Sequence, residues 1–512
     1  MVEFVTGSNR SAGASYADIL DADSHPVRDI LRAESPLEPG PTRIPADYYY
    51  SREIHEREIE KIWKRSWQLA CHEDELRDIG DYYVYDIATL SFLVVKTAED
   101  TYQAFYNQCL HRGRQLCDQS GKSAYVFRCP FHGWAWNLDG SLQEIPCEWD
   151  FPSVDKAEYG LPEVQVARWG GFLFINPDPE AESFASHIGN LSDHFTLLPF
   201  EKRYKAVHVA KVLKVNWKVA QEAFMEAYHV IATHPTILDS LGDSNSKYDV
   251  FGNYSRAISP QQVESPHIRP YEPAPDSRMF TRLKHAITGF LYERIEDNLV
   301  AVTDHKGRVS HFHADGSWVN GPMTHCDPNM CNWIGGKQLP GAESVPYPAM
   351  PEPAPSENRR SVAAKPIRED LRATLGDSVD EISDAELLDA IYFTVFPNWH
   401  PWGSFNDIFY RFSPNGDNPD ECVHECWYMR PSPNGEERPD PAPVHWLDAD
   451  ADYTEAPELG LLAKVFNQDV HNMPQVQKGL KAMKRQEVIF ADYEESKIRH
   501  WYQLYLRAME LD

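Results

Sequence analysis

Apolar residues recur at helix-like spacing early in the chain and then switch to strand-like alternation. Over Tyr48–Trp67, charged residues are interleaved with Ile54, Ile59, Ile62 and Trp63, which predicts a helix. From Trp67 to about Pro177 the period shortens to two. Tyr82–Tyr85, Ser91–Lys96, Tyr102–Tyr106 and Gly171–Ile175 read as short strands between Gly or Asp turns. After Asn176-Pro177-Asp178-Pro179 the pattern is mixed. Lys205–Val215 is strand-like, Asn216–Thr233 is helical up to Pro235, and Leu388–Phe396, Ile408–Phe412 and Cys422–Met429 are strand-like. Leu461–Met509 reads as largely helical. Val345–Pro366, Ser413–Asp420 and Arg430–Val444 read as loops, and about 240–385 is irregular. The pattern predicts an α+β chain in three parts: an arm and helix over 1–66, a small all-β domain over 67–178 and a larger domain over 179–512.

The small β domain contains the most specific chemistry. Cys109-Leu110-His111 and Cys129-Pro130-Phe131-His132 each pair a thiolate with an imidazole, and 17 residues separate His111 from Cys129. Two Cys and two His can hold a [2Fe–2S] cluster with both thiolates on one iron and both imidazoles on the other, the Rieske ligand set. Zinc can take the same four residues, but zinc fingers usually pair Cys with Cys and His with His. Gly113 and Gly133 follow each His where a tight loop needs positive φ, and Trp134 and Trp136 can shield a cluster from water.

Composition narrows the partners. Aromatic content of 12% and apolar content of 42% indicate an ordered globular protein. The net charge of −29 argues against nucleic acid or an anionic membrane as partner. No run of about 18 apolar residues appears, so no membrane span is expected. Met1–Tyr16 lacks the apolar stretch of a secretory signal, and seven scattered cysteines remain outside the quartet; both point to a reducing cytoplasmic compartment.

A second metal site is suggested within NWKVAQEAFMEAYHVIATH. Four residues separate His229 from His234, so both can face one ion only if the helix bends or ends between them, and Pro235 supports such a break. Two His and a distant carboxylate make the facial triad of non-haem iron(II) oxygenases. Alone, such a His pair is more often buried structure than a ligand set; an electron-delivering cluster upstream reverses that weighting.

Together these stretches resemble the α (oxygenase) subunit of Rieske non-haem iron oxygenases, the aromatic-ring-hydroxylating family. The resemblance runs from about Tyr48 to Leu511, strongest at 67–177 and 216–235 and weak through 240–385. It implies a Rieske [2Fe–2S] domain joined to a larger catalytic domain with an antiparallel sheet covered by helices. It also implies mononuclear Fe(II) held by His229, His234 and a late carboxylate. Asp469, in Phe466-Asn467-Gln468-Asp469-Val470, fits the family's C-terminal motif; Asp448, Asp450 and Asp452 are rivals in an acidic run. Glu226 takes the place of the acid that bridges a cluster His of one subunit to an iron His of its neighbour. That residue is most often Asp, and a Glu there keeps N-substituted ammonium substrates open. Ala223 stands where many relatives carry Asn. Phe224, Met225, Tyr228 and residues around Phe396–Trp402 are candidate pocket neighbours.

The activity implied is O2-dependent hydroxylation of an organic, by preference aromatic, substrate, by dioxygenation or monooxygenation. The alternative is a monooxygenase or demethylase acting on an N-substituted ammonium or methoxy compound. No G-x-G-x-x-G segment is evident, so electrons are expected from a separate NAD(P)H-dependent reductase, with or without a ferredoxin. The implied assembly is a homotrimer, with or without a β subunit. A Rieske electron carrier without oxygenase activity is the reading from another class. Three motifs are weighed as decoys: Cys422-Val423-His424-Glu425-Cys426 as strand, His311-Phe312-His313 as pocket wall or surface, and Cys326 with Cys331 as free thiols.

Overall fold

The computed structural model describes residues 14–36, 40–268, 272–347, 353–355, 357–432 and 438–511. The alternating segments of the first half pair into an antiparallel six-stranded sheet. Its spatial order is Gln68–His72, Phe172–Asn176, Glu163–Trp169, Thr101–Tyr106, Leu90–Ala98, Tyr82–Ile87. Alternation sends Leu93, Val95 and Phe105 to one face, where they pack with Phe127, Trp134 and Trp136 and with Cys109 and Cys129 of the two Cys–His loops. Phe92, Val94 and Ala104 face the other way and join the main core with Trp63, Trp217 and Trp501. Burial on both faces welds this sheet to the rest of the chain.

A second sheet has eight strands in the order Lys247–Phe251, Tyr254–Ser259, Ala390–Val395, Trp399–Pro401, Ile408–Asn415, Asn418–Pro431, Arg203–Leu213, His445–Leu447. It is antiparallel except at its edge, where His445–Leu447 runs parallel to Arg203–Leu213. The helices Trp217–Glu222, Leu461–Ala482 and Ser496–Met509 contribute Trp217, Phe466, Trp501, Tyr502 and Tyr505 to the core this sheet shares. The fold is the expected α+β arrangement of a small all-β unit and a larger sheet packed with helices.

Several expected elements differ. Asn216–Thr233 is not one helix: it stops at Glu222 and resumes over Val230–Thr233, because the chain turns to carry Glu226 and His229. The irregular interval contains a five-stranded sheet, Arg282–Lys284 to Trp318–Asn320, and the Pro328–Gly335 helix. Its strands were obscured by charged positions such as Glu293, Arg294 and Glu296. Within the expected loop Val345–Pro366, a helix starts at Arg359 and continues to Leu375. Asn358 and Ser361 form its capping box, and Pro366 lies on the exposed side, where water can satisfy the carbonyl it strands. Ser413–Asp420 is a hairpin, the turn at Gly416 taking φ 55°. Leu461–Met509 is interrupted by the strand Glu487–Ile489, which pairs with Arg43–Pro45. Arg52–Glu58 is α-helical and widens into a π-helical turn over Ile59–Trp63. The N-terminal arm is described from residue 14; Tyr16 lies on the larger unit with its hydroxyl on Asp389 at 2.8 Å, and the first thirteen residues lie outside the described residues. Among the described residues no helix is long and apolar enough to cross a membrane.

Candidate metal centres

The two Cys–His loops have the same backbone design. In the first, the Gly113 N–H donates to the Cys109 carbonyl at 2.9 Å and the Cys109 N–H to the Arg114 carbonyl at 2.8 Å. In the second, Gly133 donates to Cys129 at 3.0 Å and Cys129 to Trp134 at 2.8 Å. Gly113 and Gly133 sit at φ 75° and 81°, the conformation that makes glycine the favoured residue at this turn. Asn107 fastens the first loop, its Oδ1 accepting the N–H groups of Leu116 and Cys117.

This pairing brings the four side chains together. Cys109 and Cys129 are buried, and the His111 and His132 rings lie 4.6 Å apart. Trp134 stacks on His111 at 5.2 Å, nearly parallel, and Phe151 meets its edge. Burial, His132 and Arg112 hold His111 below its usual pKa, so the ring is neutral and able to ligate; its buried Nδ1 has no protein partner. Burial pushes the Cys109 thiol up, while N–H groups of His111 and Arg112 aimed at its sulfur favour the thiolate. A neutral His111 ring, buried sulfurs and donors to sulfur suit a [2Fe–2S] cluster.

The second centre is built on the interrupted helix. Asn216 caps it, accepting the Lys218 N–H at 3.0 Å, and the Asn216 N–H reaches Gln477 of the Leu461–Ala482 helix at 3.1 Å. Trp217 and Lys218 are both anchored on buried Glu58. Beyond the break, His229 precedes the short Val230–Thr233 helix and His234 follows it, so the rings converge at 5.1 Å. Asp469 Oδ1 is 3.0 Å from His234 Nε2 and 3.7 Å from His229 Nε2, and it has no hydrogen-bond donor of its own. The three residues place one ligand atom each within 4.8 Å of one another. Asp448, Asp450 and Asp452 are absent from this group: Asp450 pairs with Lys214, and Asp452 caps a turn.

Both rings are aimed by their other nitrogen. Glu226 Oε1 lies 2.6 Å from His229 Nδ1, and Gln468 Oε1 lies 2.9 Å from His234 Nδ1. Each acceptor fixes the tautomer that leaves Nε2 free for a metal. Burial lowers the basicity of His229, but the carboxylates of Glu226 and Asp469 outweigh it and raise the group to about 9. The same negative field suits a divalent cation. Sequence reasoning did not assign a role to Gln468, although it adjoins Asp469 in the quoted motif.

A cavity of about 300 Å³ opens on this triad. Phe224, Tyr392, Trp402 and Tyr410 give it aromatic walls, and Ala223 lies among its lining residues; no Lys or Arg does. Of the other expected neighbours, Met225 and Phe396 belong to the core and Tyr228 is 57% exposed. Among the decoys, His424 meets the Tyr453 hydroxyl at 2.7 Å, and Glu425 is held by Arg411 and His208. His311 meets Asn320 Oδ1 at 2.9 Å. A second trio, Asp23, His25 and Asp384, is committed to structure: Asp23 accepts the N–H groups of Asp384 and Ala385, and Asp384 pairs with Arg368.

Comparison with known proteins assigns these two units. Residues 66–155 match the Rieske [2Fe-2S] domain, and residues 199–313 and 327–511 match the ring hydroxylating alpha subunit catalytic domain. The chain belongs to the ring-hydroxylating α-subunit family. That family's catalytic domain uses mononuclear iron, and the donor set above fits it. The carnitine monooxygenase oxygenase subunit of Escherichia coli (strain K12) is 32% identical over 215 residues, covering 41% of this chain and 57% of that protein. The chlorobenzene dioxygenase subunit alpha of Cupriavidus sp. (strain PS12) is 33% identical over 192 residues, covering 36% of this chain and 42% of that protein. The chain thus spans about half the length of the curated relatives it matches. A solved quaternary ammonium Rieske monooxygenase superposes with a TM-score of 0.55 at 18% identity, covering 93% of this chain and 99% of that one. Naphthalene 1,2-dioxygenase from Rhodococcus sp., bound to indole, gives 0.55 at 18%, covering 91% and 94%. At these identities the structural likeness establishes the shared fold of the ring-hydroxylating α subunits.

Proposed function

We propose that the protein is a cytoplasmic terminal oxygenase that hydroxylates an aromatic substrate with O2. Electrons would come from a separate NAD(P)H-dependent reductase, directly or through a ferredoxin. The observation that carries this reading is the convergence of His229, His234 and Asp469 on an aromatic cavity, in a chain that also carries the paired Cys–His loops. In this reading Cys109, His111, Cys129 and His132 hold the cluster, and His229, His234 and Asp469 hold the iron. When bound, the cluster supplies single electrons and the iron activates O2.

The chain's own residues do the rest. Gln468 and Glu226 hold the two imidazoles in orientation. Phe224, Trp402 and Tyr410 confine the substrate by apolar contact and limit water. Glu226 also couples the centres between neighbouring subunits of a homotrimer. Exposed Tyr228 beside Glu226, and exposed Phe131, His132 and Trp149 around the cluster loops, offer the two faces such an interface joins. The division at 1–66, 67–178 and 179–512 follows the same logic, separating electron entry from chemistry.

The test is incorporation of labelled O2 into indole or naphthalene by iron-loaded protein supplied with a reductase. Reductant consumption with no labelled product from any aromatic compound would refute the aromatic reading. A second reading, oxidation of an N-substituted ammonium compound, is favoured by the carboxylate of Glu226 and by Trp402 and Tyr410 in the cavity lining, aromatic rings of the kind that bind a cation. Choline replacing indole in the same assay separates the two.

A further inference from the structure

Cys326 and Cys331 belong to neither centre, yet their sulfurs lie 3.3 Å apart. Cys331 is fully buried within the Pro328–Gly335 helix, in the core around Phe280 and Trp333. Cys326 is part-exposed and directly precedes the N-cap, Asp327; its thiol faces the Gly316 carbonyl at 3.9 Å. Asp327 braces this corner. Its Oδ1 accepts the N–H groups of Asn329 and Met330, its Oδ2 meets His285 Nε2 at 3.1 Å, and its N–H donates to the Tyr292 hydroxyl.

The same helical turn reaches the triad. Asn329 Nδ2 donates to the Ala232 carbonyl at 2.9 Å, two residues before His234. The Asn329 carbonyl accepts from Gln468 Nε2 at 3.1 Å, and Gln468 Oε1 holds His234 Nδ1 at 2.9 Å. A continuous set of contacts therefore links the thiol pair to His234.

We propose that Cys326 and Cys331 are a redox modification site, a dithiol–disulfide couple oxidised by hydrogen peroxide, whose closure changes the grip of Gln468 on His234. The Cys326 thiolate attacks one peroxide oxygen; the O–O bond breaks, leaving a sulfenic acid on Cys326, and the departing hydroxide is protonated to water. The Cys331 sulfur then attacks the Cys326 sulfur. The S–S bond forms, the S–O bond breaks, and the leaving hydroxide takes the Cys331 proton as a second water. Two thiols are oxidised and one peroxide is reduced to two waters. The contact with Cys326, and then burial, push the Cys331 thiol far above its usual range, and the part-exposed Cys326 is the sulfur that peroxide reaches first. Closure to a bond of about 2.05 Å draws the start of the helix inward at the turn that carries Asn329.

The thiol chemistry stands on the sulfur geometry alone; the coupling rests on the iron reading of His234. Both are tested on full-length, iron-loaded protein treated with peroxide. Residues 309–337 form a single tryptic peptide holding both cysteines and no other. That peptide is expected to lose two hydrogens and to resist alkylation until reduced. Cys331→Ser is expected to retain a dimedone-reactive sulfenic acid on Cys326, and Cys326→Ala to leave Cys331 a thiol. Full alkylation of both sulfurs after peroxide overturns the couple. Iron removal by a chelator is expected to differ roughly ten-fold between oxidised and reduced protein, to reverse with dithiothreitol and to be insensitive in Cys326→Ala. Equal removal rates overturn the coupling; protein that takes up no iron at the triad overturns the iron reading instead, and the peptide mass still decides the disulfide.

Discussion

Glu226 holds His229 at two points: its Oε1 lies 2.6 Å from the ring Nδ1, and its Oε2 accepts the His229 backbone N–H at 2.9 Å. A Gln there can still accept from the ring but carries no charge. Glu226→Gln is expected to keep its iron and a reducible cluster while reoxidation of that cluster by O2 with substrate slows by about 100-fold, the upper range for outer partners of metal-bound His. Glu226→Asp keeps the charge and is expected to lose no more than about ten-fold. Stopped-flow absorbance of the cluster reads both; unchanged reoxidation in Glu226→Gln would remove the residue from the electron path.

Asp469 is the carboxylate that closes the triad. Asp469→Ala is expected to lose about one iron per chain and to leave the cluster's absorbance and EPR signal intact. Asp450→Ala, which breaks only an exposed pair with Lys214, is expected to keep its full iron content.

Glu222 makes stability depend on pH. It is half-buried, and desolvation raises it to about 8 although Tyr49 and Tyr502 donate to it. Between an unfolded carboxyl near 4.3 and the folded value, the folded state holds a proton that the unfolded state has lost, so stability falls as pH rises through this window. By pH 8 the burden is on the order of 4 kcal/mol. Glu222→Gln keeps an acceptor for the two hydroxyls and has no proton to lose. Its Tm relative to the parent is expected to climb steadily from pH 5 to pH 8; a constant difference would show that Glu222 does not titrate there.

No Lys or Arg is among the described residues lining the cavity, and the charge of His229 is already matched by Glu226 and Asp469. In iron-free protein a carboxylate inside it would be desolvated without a partner, at a cost of about 3 kcal/mol or more. Indole-3-carboxylate is therefore expected to bind at least ~100-fold more weakly than indole, measured by calorimetry. Equal affinity would mean that ligands enter elsewhere.

The paired Cys–His loops were legible in the sequence because their pattern is local. Each loop carries its Cys, His and Gly within five residues, and both fold by the same pair of backbone bonds. The β segments around them were legible because Leu93 and Val95 alternate with Phe92 and Val94 between two cores. The triad of His229, His234 and Asp469 was harder. His229 and His234 become neighbours only through a break that a helical reading smooths over, and Asp469 joins them from a helix more than two hundred residues later. Gln468 and Asn329 could not be found by spacing, because their roles are contacts between distant segments. The helix at Arg359–Leu375 was hidden by Pro366, whose cost is relieved by its exposed position.

The central claim is that this chain carries an iron site in addition to a cluster. Iron analysis of anaerobically reconstituted protein, with the cluster quantified separately by EPR, tests it most directly. The expected result is about three iron ions per chain, about two of them in the cluster and one lost in Asp469→Ala. A steady value of about two, all accounted for by the cluster, would contradict the claim and leave an electron carrier.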